Sequence, residues 1–270
     1  MNFPTRPSDH SSEATIRLQE TLYSSRNPTR QWLHRSRRQW ISKAIGRYFP
    51  TTGEIAVDAG SGSNVLLENL SEKFKLVVEL DTRAALLDHA RQTIPARANI
   101  TFSAGDIRRF PLRSDRADLV VCSEVLEHVS QAGDCLKEIH RILKPGGLLI
   151  LTTPQPFSLL EMVARIALLK PVLPLTRAIY REPVLPTGHI NLMTNGQLKR
   201  RLTLTGFKIM ENHKSGLYLP GLAEIPVPAA REAAVRLNAG LSGTIFDFLL
   251  WTQFFVAEKQ APSQRRTRPE

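Results

Sequence analysis

From Pro50 onward the chain alternates short apolar runs with stretches of helical periodicity. The runs are EIAVD (54–58), KLVVEL (75–80), NITFSA (99–104), ADLVVC (117–122) and GLLILTT (147–153). Apolar on consecutive positions rather than every second one, such runs suit strands covered on both faces, and their alternation with helices predicts a parallel sheet. Helices are expected over DTRAALLDHARQTI, which closes before Pro95, and over QAGDCLKEIHRILKPGG, stopped by Lys144, Pro145 and two glycines. After Thr153 the alternation breaks, with six prolines from Pro154 to Pro186, predicting an inserted cap at about 155–193 that holds a helix from about Leu159 to Lys170. A helix over 194–206 and strand-like runs at 207–212 and 249–259 follow, completing a seven-stranded sheet.

Ahead of the sheet, Trp32, Leu33, Trp40, Ile41, Ala44, Ile45 and Tyr48 recur at helical spacing with basic residues between them. Residues 26–50 therefore read as a basic amphipathic helix, after a polar lead over 1–25 expected to be disordered. The domain proper spans 51–260, and 261–270 reads as a tail. The expected class is α/β: a doubly wound, mostly parallel, Rossmann-like sheet with an N-terminal helix and a cap insertion.

Composition narrows this picture. At 42% apolar residues over 270 positions, disorder of the whole chain is excluded and a large core is affordable. The formal charge of +11 is local: seven basic and no acidic residues lie between Arg26 and Arg47, and the last dozen positions add a net three. The charge therefore speaks to docking or access: a helix laid over the domain's cleft with a solvated basic face is the leading account, an anionic membrane surface the next and a phosphate backbone the third, while the rest of the chain is nearly neutral. Two cysteines, Cys122 and Cys135, make no disulfide framework, and no Cys/His cluster offers a zinc motif, so no metal is expected. No apolar run reaches the ~20 residues of a membrane span, and the start lacks the apolar stretch of a secretory signal. The expected location is a reducing cytoplasm, with peripheral membrane contact through the basic helix.

The chemistry concentrates at the ends of the runs. EIAVDAGSGSN takes a strand through Asp58 into Gly60, Ser61 and Gly62, with a helix expected from about Asn64. Glycines at a strand-to-helix turn let a ligand approach the backbone, and the helix start favours electronegative atoms. The second strand delivers Asp81 about twenty residues later, the place for a carboxylate that accepts ribose hydroxyls. Glu79 is the alternative, since alternation sends both to the same side. AGDIRRFPL puts Asp106 and Ile107 at the same edge, suited to an amino group and the face of a base. A nicotinamide fingerprint would need glycine where Val65 stands.

Together VDAGSGSN, VVELDTRAALLDHA, SAGDIRRFPL, ADLVVCSEVLEHV and EIHRILKPGGLLILTTP resemble the class I S-adenosylmethionine-dependent methyltransferases, specifically the methyltransferase type 11 group, over about residues 50–155. The resemblance implies that Asp58, Gly60 and Gly62 line the methionine and ribose side of S-adenosylmethionine, that Asp81 holds the ribose hydroxyls, and that Asp106 and Ile107 meet the adenine. Asn64 stands where that pattern carries its third glycine.

Methyl transfer needs a base only when the acceptor must lose a proton. His128, just past the fourth strand, and His189, in the cap segment GHIN, are the candidates; packing or capping is the plainer role for His128, and Glu124 and Glu127 read as structural or cofactor-side. The Asn/Asp-Pro-Pro-Tyr turn of enzymes that methylate base amines is not present after the fourth strand, and Cys122 lacks the preceding proline of cytosine-methylating enzymes. A nucleic-acid substrate is therefore disfavoured. The expected activity is methyl transfer to a small, hydrophobic or lipid-like acceptor, with RNA methylation and a non-catalytic binding module as alternatives.

Overall fold

The computed structural model describes residues 16, 23–24, 28–95, 97–167, 169, 171–172, 174, 188–219 and 228–261. Most of the expected lead, the middle of the cap and the tail from 262 lie outside the described residues. Seven strands form one sheet: β1 (Gly53–Ala59), β2 (Phe74–Asp81), β3 (Ile100–Ala104), β4 (Ala117–Ser123), β5 (Leu143–Pro154), β6 (Phe207–Ser215) and β7 (Thr252–Lys259). Their order is β3-β2-β1-β4-β5-β7-β6, with β7 antiparallel to both neighbours and every other pairing parallel. The chain winds outward from β1 to β3, then returns to β4 beside β1. Loops leaving β1 and β4 thus diverge at the carboxyl edge and open a crevice there.

The helices are α1 (Pro28–Tyr48), α2 (Leu67–Lys73), α3 (Ala84–Thr93), α4 (Ala132–Ile142), α5 (Leu159–Ala167), α6 (Asn195–Thr205) and α7 (Pro228–Leu241). Adjacent strand residues face opposite layers. Ala56 packs with Ile41, Ala44 and Ile45 of α1 and Leu70 of α2, whereas Val57 packs with Leu136 and Ile139 of α4 and Leu202 of α6. Two-sided burial is why the central strands carry no polar alternation. The start of α6 is fixed by a capping box between Thr194 and Gln197, and its end by Gly206 in the left-handed conformation.

Four local expectations change. Asn64 does not begin a helix: it is left-handed at φ 54°, its amide donates to the Gly62 carbonyl at 3.1 Å, and α2 starts only at Leu67. Asparagine tolerates this conformation better than most residues, so it does the work of the third glycine. Lys144-Pro145-Gly146-Gly147 does not end α4. The helix stops at Ile142, and the four residues form a bulge in β5, where the chain advances from Leu143 to Leu148 while β4 advances from Ala117 to Leu119. Helix α7, which the apolar pattern did not single out, begins at Pro228, a residue suited to a first helical turn. Finally, the basic helix is not uniformly solvated, because Arg37 is buried.

Candidate active site

The turn after β1 is held by backbone bonds, with Gly60 and Ser61 N–H groups donating to the Leu80 carbonyl at 2.7 and 3.0 Å. Gly60 has φ 83°, and a Cβ there would lie 2.4 Å from Val125 Cγ2, so glycine is required both by conformation and by the residue entering from β4. Asp81 closes the loop: its Oδ2 accepts from Gly62 N–H at 3.1 Å, and its Oδ1 accepts from Arg83 N–H at 2.9 Å and Arg83 Nε at 3.3 Å. Glu79 does not share this position. It is 0% exposed and in register beside Asp58, and the Ser61 hydroxyl interacts with its carboxyl. The geometry thus separates two carboxylates that alternation left equivalent, putting Asp81 against the loop and sealing Glu79 beneath it.

Asp106 lies at the same edge after β3, more exposed, with the Arg108 guanidinium across both its oxygens, and Arg108 holds its carboxyl below the usual range. Ile107 is buried in the core layer of α4. Asp58, Gly60, Gly62, Asp81 and Asp106 therefore gather around one crevice. Asn64 Oδ1, buried without a partner, lines the same turn.

Burial pushes the Asp58 carboxyl up to about 7, and the Asp81 charge adds to it. Between the unfolded value and about 7 the folded state binds the extra proton, so this group makes stability fall as pH rises through that window. Asp58→Asn removes the effect. In urea unfolding, the variant is expected to gain on the wild type by about 1.4 kcal/mol per pH unit between roughly pH 4 and 7 and by nothing further above it. A difference independent of pH would contradict the assignment.

Across the crevice, the loop after β4 carries a 3-10 turn, Leu126–His128. The cap returns onto it: Ile190 and Asn191 N–H groups donate to the Glu127 carbonyl at 2.9 and 3.0 Å, and Asn191 Nδ2 donates to the Val129 carbonyl at 2.8 Å. This stitching brings together two histidines that are 61 positions apart, with ring centroids 5.1 Å from each other. His128 Nδ1 donates to the Gly188 carbonyl at 3.2 Å, and His189 Nδ1 pairs with Glu161 Oε2 at 3.1 Å. The other Glu161 oxygen accepts from Trp251 Nε1 at 3.2 Å. Burial, and then the neighbouring His189, lower the affinity of His128 for a proton and favour its neutral form. Glu127 is fully buried, accepts from Thr153 Oγ1 at 2.9 Å through Oε2, and leaves Oε1 unpartnered.

Glu124 is committed elsewhere. It sits in the left-handed region at φ 57°, 3.2 Å from the Arg37 guanidinium, and accepts from Thr152 Oγ1. Arg37 also donates to His34 Nδ1 and lies over the Trp251 ring at 5.6 Å. The N-terminal helix is thereby anchored to the crevice by one of its basic residues, and its exposed positive charge is carried by Arg35, Arg38, Lys43 and Arg47, of which Arg47 pairs with Glu211. Arg37, Glu161 and Trp251 were not singled out for the site by sequence reasoning. A lone acid in the otherwise apolar start of LLEMVARIA is the signal that could have marked Glu161.

A family model described as a methyltransferase domain, type 11, matches residues 57–151. Malonyl-[acyl-carrier protein] O-methyltransferase of Yersinia pestis is 32% identical over 111 residues, covering 41% of this chain and 40% of that protein. Ubiquinone biosynthesis O-methyltransferase of Coxiella burnetii is 30% identical over 115 residues, covering 41% and 48%. The chain thus spans less than half the length of these curated relatives. The N-methyltransferase NodS of Bradyrhizobium japonicum, solved with S-adenosyl-L-homocysteine, superposes with a TM-score of 0.57 at 15% identity over 92% of this chain and 100% of that one, a likeness of fold. Residues 57–151 thus carry a methyltransferase domain matched by the type 11 model, on a fold shared with the N-methyltransferase NodS.

Proposed function

We propose that the chain moves a methyl group from S-adenosylmethionine to a hydroxyl oxygen of a small acceptor with an apolar body. The observation that carries this reading is the meeting of a nucleoside-type edge, built on Asp81 and the Gly60–Gly62 turn, with a pair of imidazoles at the same crevice. The residues present fit the cofactor. A buried oxygen without a partner, Asn64 Oδ1, lines a glycine turn whose backbone a ligand can approach. Asp81 and Asp106 offer acceptor-only carboxylates at the end of β2 and beyond β3. Arg83 and Arg108, which lie against these carboxylates, are about half exposed, so exchanging them for a ligand costs little.

When bound, the sulfonium supplies an electrophilic methyl that needs no further activation. Asp81 would hold the ribose, Asp106 would accept a hydrogen bond from the adenine amino group, and Ile107 would cover the ring. His128 and His189 face the acceptor and activate its hydroxyl, with Glu161 fixing the His189 ring. Exposed Phe157, Met162, Ile166 and Ile190 flank this side and supply an apolar approach. Both curated relatives named above carry O-methyltransferase in their names, which supports an oxygen acceptor. The test is incubation with labelled methyl donor against panels of phenols, carboxylic acids and amines. Label is expected in a base-stable ether; label in a base-labile ester or an amine would overturn the acceptor class. Firm binding of S-adenosyl-L-homocysteine with no turnover on any panel would favour a binding module.

A further inference from the structure

Three donor atoms converge where the loop after β4 meets the cap. Glu127, His128 and His189 each present one ligand atom, all within 4.8 Å of one another. The hydrogen bonds around them leave the right atoms over. Because a carbonyl and a carboxylate can only accept, His128 Nδ1 and His189 Nδ1 carry the hydrogens donated to Gly188 and Glu161, and both Nε2 lone pairs remain for a ligand. Glu127 Oε2 is occupied by Thr153 while Oε1 is buried and unpartnered. A buried carboxylate oxygen with nothing to accept from is costly unless something completes it.

We propose that Glu127, His128 and His189 form a binding site for zinc or another imidazole-seeking divalent first-row ion. The donor set is two imidazoles and one carboxylate, which suits zinc better than magnesium or calcium. Three protein ligands leave a position open toward the crevice, the pattern of ions that act on a substrate rather than hold a fold. The outer partners are those of metal-bound imidazoles: Glu161 behind His189, itself held by Trp251, and a backbone carbonyl behind His128. Donors bound at about 2.1 Å can be no more than about 4.2 Å apart, so binding draws the cluster in by roughly half an ångström. His128, 44% exposed, has room to move and gives an ion a way in. In such a site the imidazoles would activate an acceptor oxygen through the ion; binding of the ion itself does not require methyl transfer.

The test is calorimetric titration of the full chain, stripped with a chelator, with zinc chloride. One saturable equivalent is expected in the wild type. His189→Ala and His128→Ala are each expected to weaken it more than tenfold, and Glu161→Gln about tenfold, since outer partners of metal-bound imidazoles are worth about 10- to 100-fold. Cobalt(II) is expected to give visible ligand-field bands in the wild type that His189→Ala removes. Where a histidine variant fails to fold by circular dichroism, the wild-type cobalt spectrum and the Glu161→Gln titration decide. No saturable binding, or wild-type affinity in the folded variants, would overturn the site. Binding of S-adenosyl-L-homocysteine, measured on the same preparations, separates this failure from failure of the methyl-transfer reading.

Discussion

Asp81→Ala is expected to weaken S-adenosylmethionine binding about 100-fold in calorimetry while leaving the fold intact. The carboxylate is 4% exposed and placed by the end of β2, and it already accepts from the glycine turn. Two charge-assisted bonds to ribose hydroxyls, each contributing about 1.5–3 kcal/mol, give about 3–4 kcal/mol after partial compensation by water. That is two to three powers of ten. Arg83, left without its partner, is half exposed and adds little to the cost. Glu79→Gln serves as the comparison: sealed beneath the turn, it is expected to leave affinity within about threefold if Asp81 is the ribose carboxylate. Equal losses in the two variants would mean that the wrong carboxylate has been assigned.

His189→Ala is expected to lower kcat at least about 100-fold on whichever hydroxyl acceptor the labelled-donor screen identifies, with binding of S-adenosyl-L-homocysteine changed by less than about twofold. Activation of a reacting hydroxyl by a positioned group is worth about 10²- to 10⁴-fold. The asymmetry between turnover and cofactor binding follows from position, since His189 pairs with Glu161 and meets the His128 ring, and the two residues after it bond to the loop after β4, not to the turn after β1. Glu161→Gln keeps the ring's packing but weakens its orientation, so an intermediate loss is expected. Turnover within twofold of wild type in His189→Ala would remove the histidine pair from the mechanism.

The carboxyl edge was legible because its signals are local. A strand ending in Asp58, a glycine turn and a second strand ending in Asp81 each depend on a few neighbouring residues, and the structure assembles them as the pattern implied. Asn64 shows the limit of that kind of reading: the same residue type serves as a helix start or as a left-handed turn, and only the packed loop selects between them. The Lys144–Gly147 stretch was misassigned for a related reason, since proline and two glycines stop a helix and bulge a strand equally well. His128 and His189 could each be nominated from sequence, but their encounter could not, because it depends on how the cap folds back across the crevice. The same holds for the Glu127 donor that joins them, which no short-range ligand spacing reveals. Arg37 was hidden among five other Lys and Arg residues of its helix and is distinguished only by what it meets, Glu124 and the Trp251 ring.

The most direct test of the account is a crystal structure of the chain with S-adenosyl-L-homocysteine. The account predicts the nucleoside in the crevice between the turn after β1 and the loop after β4. Both ribose hydroxyls should lie within about 3.2 Å of Asp81, with Arg83 displaced and Ile107 against the adenine. A nucleoside bound elsewhere, or Asp81 still paired with Arg83 while the crevice stays empty at saturating ligand, would contradict it.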